Sequence, residues 1–156
     1  MDTPKHQAMR KAGTLLMAGG TAALSVLDVE GGGPFTTLVN VAIDLELKPL
    51  VLISSLAHHS KCLASDNRSS LMLHEPIATT EDPMLTFRVT VLGRFAKVEA
   101  REAQQYFLNR HPYAELYANF GDFSYWRMEA DHAHIIAGFG RAYGVRFKDI
   151  AELMPS

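Results

Sequence analysis

The run 85-LTFRVTVLGRFAKVE-99 restricts the fold more than any other stretch. Apolar and polar residues alternate along it with the two-residue period of a strand that has one buried face. It is long enough to bend, and Gly93, midway, is the expected place for a bulge. Shorter runs of the same character surround it. Residues 21–28 and 35–44 flank the turn 30-EGGGP-34 and read as a hairpin. Residues 49–54 (PLVLIS) read as a buried strand and 70–74 as a further one, while 123–129 and 133–145 read as the last two.

Helical periodicity is confined to short, separate segments. Met9, Ala12 and Leu16 recur at three- and four-residue spacing over 4–18, and Gly19-Gly20 ends that helix. Further helices are expected over 56–66, 99–109, 112–120 (with Pro in its first turn) and 147–153. The stretch 75–84, polar with two prolines, reads as a loop between strands. Strand and helix do not alternate as in a parallel sheet, so the pattern predicts a mainly β fold: a barrel with peripheral helices.

Composition narrows the functional classes. The chain has 156 residues, 47% hydrophobic and 21% charged, as expected of one globular domain spanning 1–156. A formal charge of −2 offers no broad attraction for nucleic acid or anionic membrane. A single Cys excludes an intramolecular disulfide and favours a reducing, cytoplasmic setting. The basic 5-KHQAMRKAG-13 followed by the apolar 14–27 outlines a leader peptide. Three glycines interrupt that outline and no small-x-small cleavage site closes it, so the segment reads as part of the fold.

The chemistry-bearing stretch is 54-SSLAHHSKCLASDNRSS-70. His58 and Cys62, four apart, share a helix face, but two ligands do not make a zinc site, and no metal centre is expected. No GxSxG elbow accompanies the serines, and a lone mid-helix Cys62 is expected to pack. An anion cradle fits better. A strand ends at Ser54-Ser55 and a helix follows, with hydroxyls, Lys61 and two imidazoles around its N-terminus. A capping serine before a solvated helix is the plain alternative. Two more clusters suit a flat anionic ligand or a core: Tyr125-Trp126-Arg127, and Phe139 between two glycines with Arg141 following. His132 and His134 would share a strand face.

In order and spacing, the motifs 34-PFTTLVNVAID-44, 50-LVLISSLAHHSKCLASDNRSSLML-73, 88-RVTVLGR-94, 120-FGDFSYWRME-129 and 138-GFGRA-142 resemble the pyridoxamine phosphate oxidase-like FMN-binding split barrels. They are most like the haem-utilisation branch, and the match runs from about residue 10 to 150. The resemblance implies a six-stranded antiparallel split barrel, a homodimer, and FMN at the subunit interface. It implies a flavin edge along Thr37, Leu38, Val39 and Asn40, and a phosphate held by Ser54, Ser55, His59, Ser60 and Lys61. Arg88 would reach the flavin, and Trp126 and Arg141 would contact it from the other subunit. The leading expectation is therefore an FMN flavoprotein acting as an oxidoreductase on an unknown small molecule.

Departures qualify this. Thr37 stands where the oxidases carry an Arg, Cys62 where this branch usually has Asn, and Asn67 where it has Pro. The oxidases' C-terminal Arg-Leu-His-Asp-Arg signature is absent, which argues against vitamin B6 oxidation. The alternative is a haem-binding or haem-utilisation protein, or a non-catalytic flavin-sensing module. Haem-degrading relatives carry their haem ligand in additional C-terminal sequence, which weighs against haem here; His132 and His134 are not obvious replacements, and a haem spectrum shifted by changing either would support this alternative.

Overall fold

A computed structural model describes residues 2–155. Helix α1 spans Pro4–Ala18, followed by strands β1 (Gly20–Leu27), β2 (Pro34–Ile43) and β3 (Pro49–Ser54). Helix α2 (His58–Ser65) leads to β4 (Arg68–His74), a 3-10 turn (Pro83–Leu85) and β5 (Arg88–Val98). Helix α3 (Ala100–Arg110), a second 3-10 turn (Pro112–Leu116), β6 (Phe123–Gly138), β7 (Arg141–Arg146) and α4 (Phe147–Leu153) complete the chain.

The strands run β3-β2-β1-β4-β5-β6, and β6 returns to pair with β3, closing a six-stranded antiparallel barrel. Closure leaves no open edge among these six. β7 is an extra strand on the free part of β6. The split-barrel architecture inferred from the motifs is thus the one observed.

Local chemistry sets the ends of the elements. Pro4 opens α1, and the Thr3 hydroxyl accepts the His6 N–H at 3.1 Å. Gly19 closes it at φ 62°, its N–H bonded to Leu16 O, and a Cβ there would lie 2.8 Å from the Val41 carbonyl. The segment outlined as a leader is therefore a capped helix and the first barrel strand.

β6 differs from expectation. Residues 123–138 form one 16-residue strand, not two strands meeting near 130. Gly93 pairs with Ala130 and Leu92 with His132, so Asp131 is the extra residue of a bulge. The charged 129–131 stretch reads as a break but is absorbed by the ladder. The true reversal is at Phe139-Gly140, inside what looks like a continuous strand, with Gly140 at φ 69°. Gly93 is required opposite the bulge, since a Cβ there would lie 2.2 Å from the Glu129 carbonyl oxygen.

Side chains facing inward from the strands, among them Leu24, Val41, Val51, Leu71, Val91 and Ile135, form the main core. α1 adds Met9 and Leu16, and α2 adds Cys62 and Leu63. A second core lies outside the barrel wall, where α3 lowers Ala103 and Phe107 onto Leu50, Leu52 and Tyr125. No described helix is long and apolar enough to cross a membrane.

Candidate functional site

Strand alternation divides the expected flavin edge between two environments. Thr37 lies opposite the buried Leu24, and Val39 opposite the buried Ala22, so both face inward. Leu38 and Asn40 face outward, and Leu38 is 71% exposed. These four residues do not present one continuous side-chain surface.

The outward positions fall into rows set by the register. One row runs Leu38–Ala23–Met72–Thr90–His134 across five strands. Its neighbour runs Thr36–Ser25–Ser70–Leu92–His132. A third carries His74–Arg88–Ile136. His132 and His134 do share a strand face, and that face continues into exposed apolar side chains, Leu92 being 44% exposed. The Ser25 and Thr36 hydroxyls satisfy one another at 2.9 Å, which reduces their demand for water within the second row. Arg88 curls back, donating to Met84 O at 3.2 Å and Thr86 O at 3.1 Å.

The 54–61 segment assembles at the end of β3. The Ser54 hydroxyl donates to Asp122 Oδ2 at 2.6 Å and accepts the Leu56 N–H at 3.1 Å. The Ser55 N–H donates to Asp122 O at 2.7 Å. Ser54 is therefore already engaged by a carboxylate, where the sequence suggested a free phosphate donor. The N-cap of α2 is Ala57, not a serine, and no side chain caps it. Ser60 is buried, Ser55 and Lys61 are exposed, and His59 is half-buried. Burial, and secondarily the charge of His58, hold the His59 imidazole below its ordinary pKa.

Four further placements correct or complete the sequence reading. Trp126 lies opposite Val51 in the main core, 4% exposed, its indole N–H without a hydrogen-bond partner, so it offers no surface to a ligand on this chain. Arg141 folds onto its own hairpin, donating to Ala137 O at 3.1 Å. His58 donates from Nε2 to Asp28 Oδ1 at 3.1 Å, and its ring packs edge-to-face with that of Phe35, centroids 4.9 Å apart. Cys62 is buried, as expected.

The site residues absent from the sequence reading are Asp28, Asp122, Met72 and Leu92. The two aspartates reach their partners across 30 and 68 residues of chain, and no local motif signals either. The apolar residues at outward positions were visible in the strand alternation. Two clefts of comparable size lie elsewhere: about 560 Å³ beside Leu45, Tyr106 and Met154, and about 530 Å³ between α1 and α4. Neither contains a residue expected to bind a cofactor.

Comparison with known proteins places this geometry. The chain is 30% identical over 115 residues to a non-canonical heme oxygenase, HOZ, a chloroplastic protein of Arabidopsis thaliana. The alignment covers 72% of this chain but 34% of that protein, so the chain spans about a third of the length of its curated relative. A heme binding protein from Mycobacterium smegmatis superposes with a TM-score of 0.85 at 26% identity, over 93% of this chain and 60% of that one. A pyridoxinephosphate oxidase family protein from Clostridium acetobutylicum shares the fold alone, with a TM-score of 0.69 at 12% identity over 92% of this chain and 97% of its own. The family model described as CREG, beta-barrel matches residues 4–152. The chain belongs to the CREG β-barrel family, one of the split barrels of the pyridoxamine phosphate oxidase type.

Proposed function

We propose that this protein binds haem against the outward face of β2-β1-β4-β5-β6. The observation that carries the reading is the pair His132 and His134, set on adjacent rows that also hold the exposed Leu92 and Leu38. Two imidazoles beside an uncovered apolar surface match the chemistry of haem, which needs a nitrogen ligand for iron and an apolar seat for its ring. The names of the HOZ relative and the mycobacterial neighbour support haem over FMN, reversing the order expected from the motifs. A homodimer, the expected assembly, would use the same uncovered face, with a second copy completing the seat.

Haemin titration tests this. The wild type should develop a shifted Soret band at one haem per chain or per dimer. His134→Ala or His132→Ala should shift or abolish it, and Leu38→Asp should weaken binding about tenfold. An unchanged haemin spectrum with wild-type protein would overturn the reading.

An FMN reading has one observation in its favour. The uncapped N-terminus of α2 presents backbone N–H groups beside Ser55 and Lys61, the arrangement a phosphate accepts. The carboxylate of Asp122 on Ser54 counts against it. A flavin spectrum from the purified protein, lost in Lys61→Ala, would establish FMN as the cofactor.

A further inference from the structure

One cluster plays no part in the haem or flavin reading. Asp28 follows β1 in the turn to β2, which is held by the Asp28 N–H on Gly33 O at 2.7 Å and the Gly32 N–H on Asp28 O at 2.9 Å. Its carboxylate oxygen Oδ1 also accepts the Glu30 N–H at 2.9 Å. His58 begins α2, and Cys62 follows one helical turn later on the same face. One ligand atom from each of the three residues lies within 4.8 Å of the others.

We propose that Asp28, His58 and Cys62 bind a transition-metal ion of the Zn(II) type. The donor set is one thiol, one imidazole and one carboxylate. The thiolate disfavours Mg(II) and Ca(II), which take oxygen, and suits Zn(II). Zinc bonds of about 2.0–2.3 Å place tetrahedral ligands roughly 3.3–3.8 Å apart. The 3.1 Å Asp28–His58 contact is close to that spacing, and the thiol lies within 4.8 Å of both partners.

The site is also restrained. Phe35 packs in a T-shaped arrangement with the His58 ring, Glu30 N–H fixes the carboxylate, and Cys62 is anchored in the core. His58 and Asp28 keep partial solvent access, so an ion can enter. Three protein ligands leave a fourth position for water or an external ligand.

The test is a Co(II) titration of tag-free, haem-free protein, followed by displacement with Zn(II). One equivalent of Co(II) should produce a thiolate-to-cobalt charge-transfer band that Zn(II) removes. Cys62→Ala should abolish the band. His58→Gln and Asp28→Asn should each weaken Co(II) binding by more than the roughly tenfold that loss of an outer partner costs. Absence of the band at stoichiometric Co(II), or its survival in both of those variants, would overturn the site and leave an Asp–His hydrogen bond beside an inert thiol. Should Cys62→Ala fail to fold, Asp28→Asn, altered only in the turn, decides the question. The readout is independent of haem, so its failure leaves the haem proposal untouched.

Discussion

The barrel wall has two outward faces that solve the same problem differently. Outside β3, Leu50 and Leu52 are buried because α3 covers them with Ala103 and Phe107. α3 also reaches the C-terminal end of β2 at Ala42, but farther along that wall Leu38 on β2 and Leu92 on β5 stand exposed. The sequences of the strands report the difference. In 49-PLVLIS-54 the first five residues are all buried, so no polar alternate is needed. In 20-GTAALSVL-27 buried positions alternate with partly exposed ones. An apolar run continuous on both faces therefore marks cover supplied within the chain. Alternation broken by an outward Leu marks a face whose cover comes from outside.

Paired truncations test that contrast most strongly. Leu50→Ala should cost about 3–4 kcal/mol, the range for emptying a buried site. Leu38→Ala should stay within about 0.5 kcal/mol in dilute protein, as for a surface change. Urea unfolding of both variants measures this, and equal costs would show that the β2 face is packed within the single chain. A Leu38→Ala cost that rises with protein concentration would identify a second copy as the cover.

Gly93→Ala should come next, at about 2 kcal/mol, because the new Cβ meets backbone at Glu129 and Ala130, which has no rotamer through which to retreat. The damage should centre on the bulge that redirects β6 from β3 toward β7. A wild-type urea midpoint for this variant would mean that the bulge can relocate.

The fold was more legible than the site, for a physical reason. Periodicity and turn residues are local, so the strands, the Gly19 stop and the Gly93 irregularity could all be read from neighbouring residues. The β6–β7 reversal was misplaced because Asp131 imitates a turn while remaining in the ladder, and Phe139-Gly140 lies within an apolar run. Site geometry depends on register, which no local pattern states. The anion cradle at 54–61 was visible as composition, but Asp122 reaches Ser54 only because β3 pairs with β6. The Tyr and Arg neighbours of Trp126 left it open between a ligand contact and a core residue. Its strand position opposite Val51 places it in the core.

The covered face has an acid-sensitive fastening, and this gives the smallest predicted effect. His111, at the C-terminus of α3, is buried, donating from Nε2 to the Val41 carbonyl at 2.9 Å and accepting from the Tyr113 hydroxyl at 2.6 Å. Burial lowers its pKa, the Val41 bond opposes that shift, and the charge of Arg110 adds to it. The unfolded chain therefore takes up a proton that the folded chain refuses. The resulting stability is complete above the ordinary histidine pKa of 6.5 and declines as pH falls below it, levelling off below the folded value. His111→Phe should cost about 1 kcal/mol at neutral pH through the lost hydrogen bonds. It should also make the fall in urea midpoint between neutral and mildly acid pH shallower than in wild type. His59, also lowered by burial, contributes to both proteins, so the difference between the two slopes isolates His111. Since His111 joins α3 to β2, acid should loosen amides around Phe107 before those of β4 and β5. Hydrogen exchange that loosens both faces together would show that α3 and the barrel unfold as one unit, leaving their contrast one of packing alone.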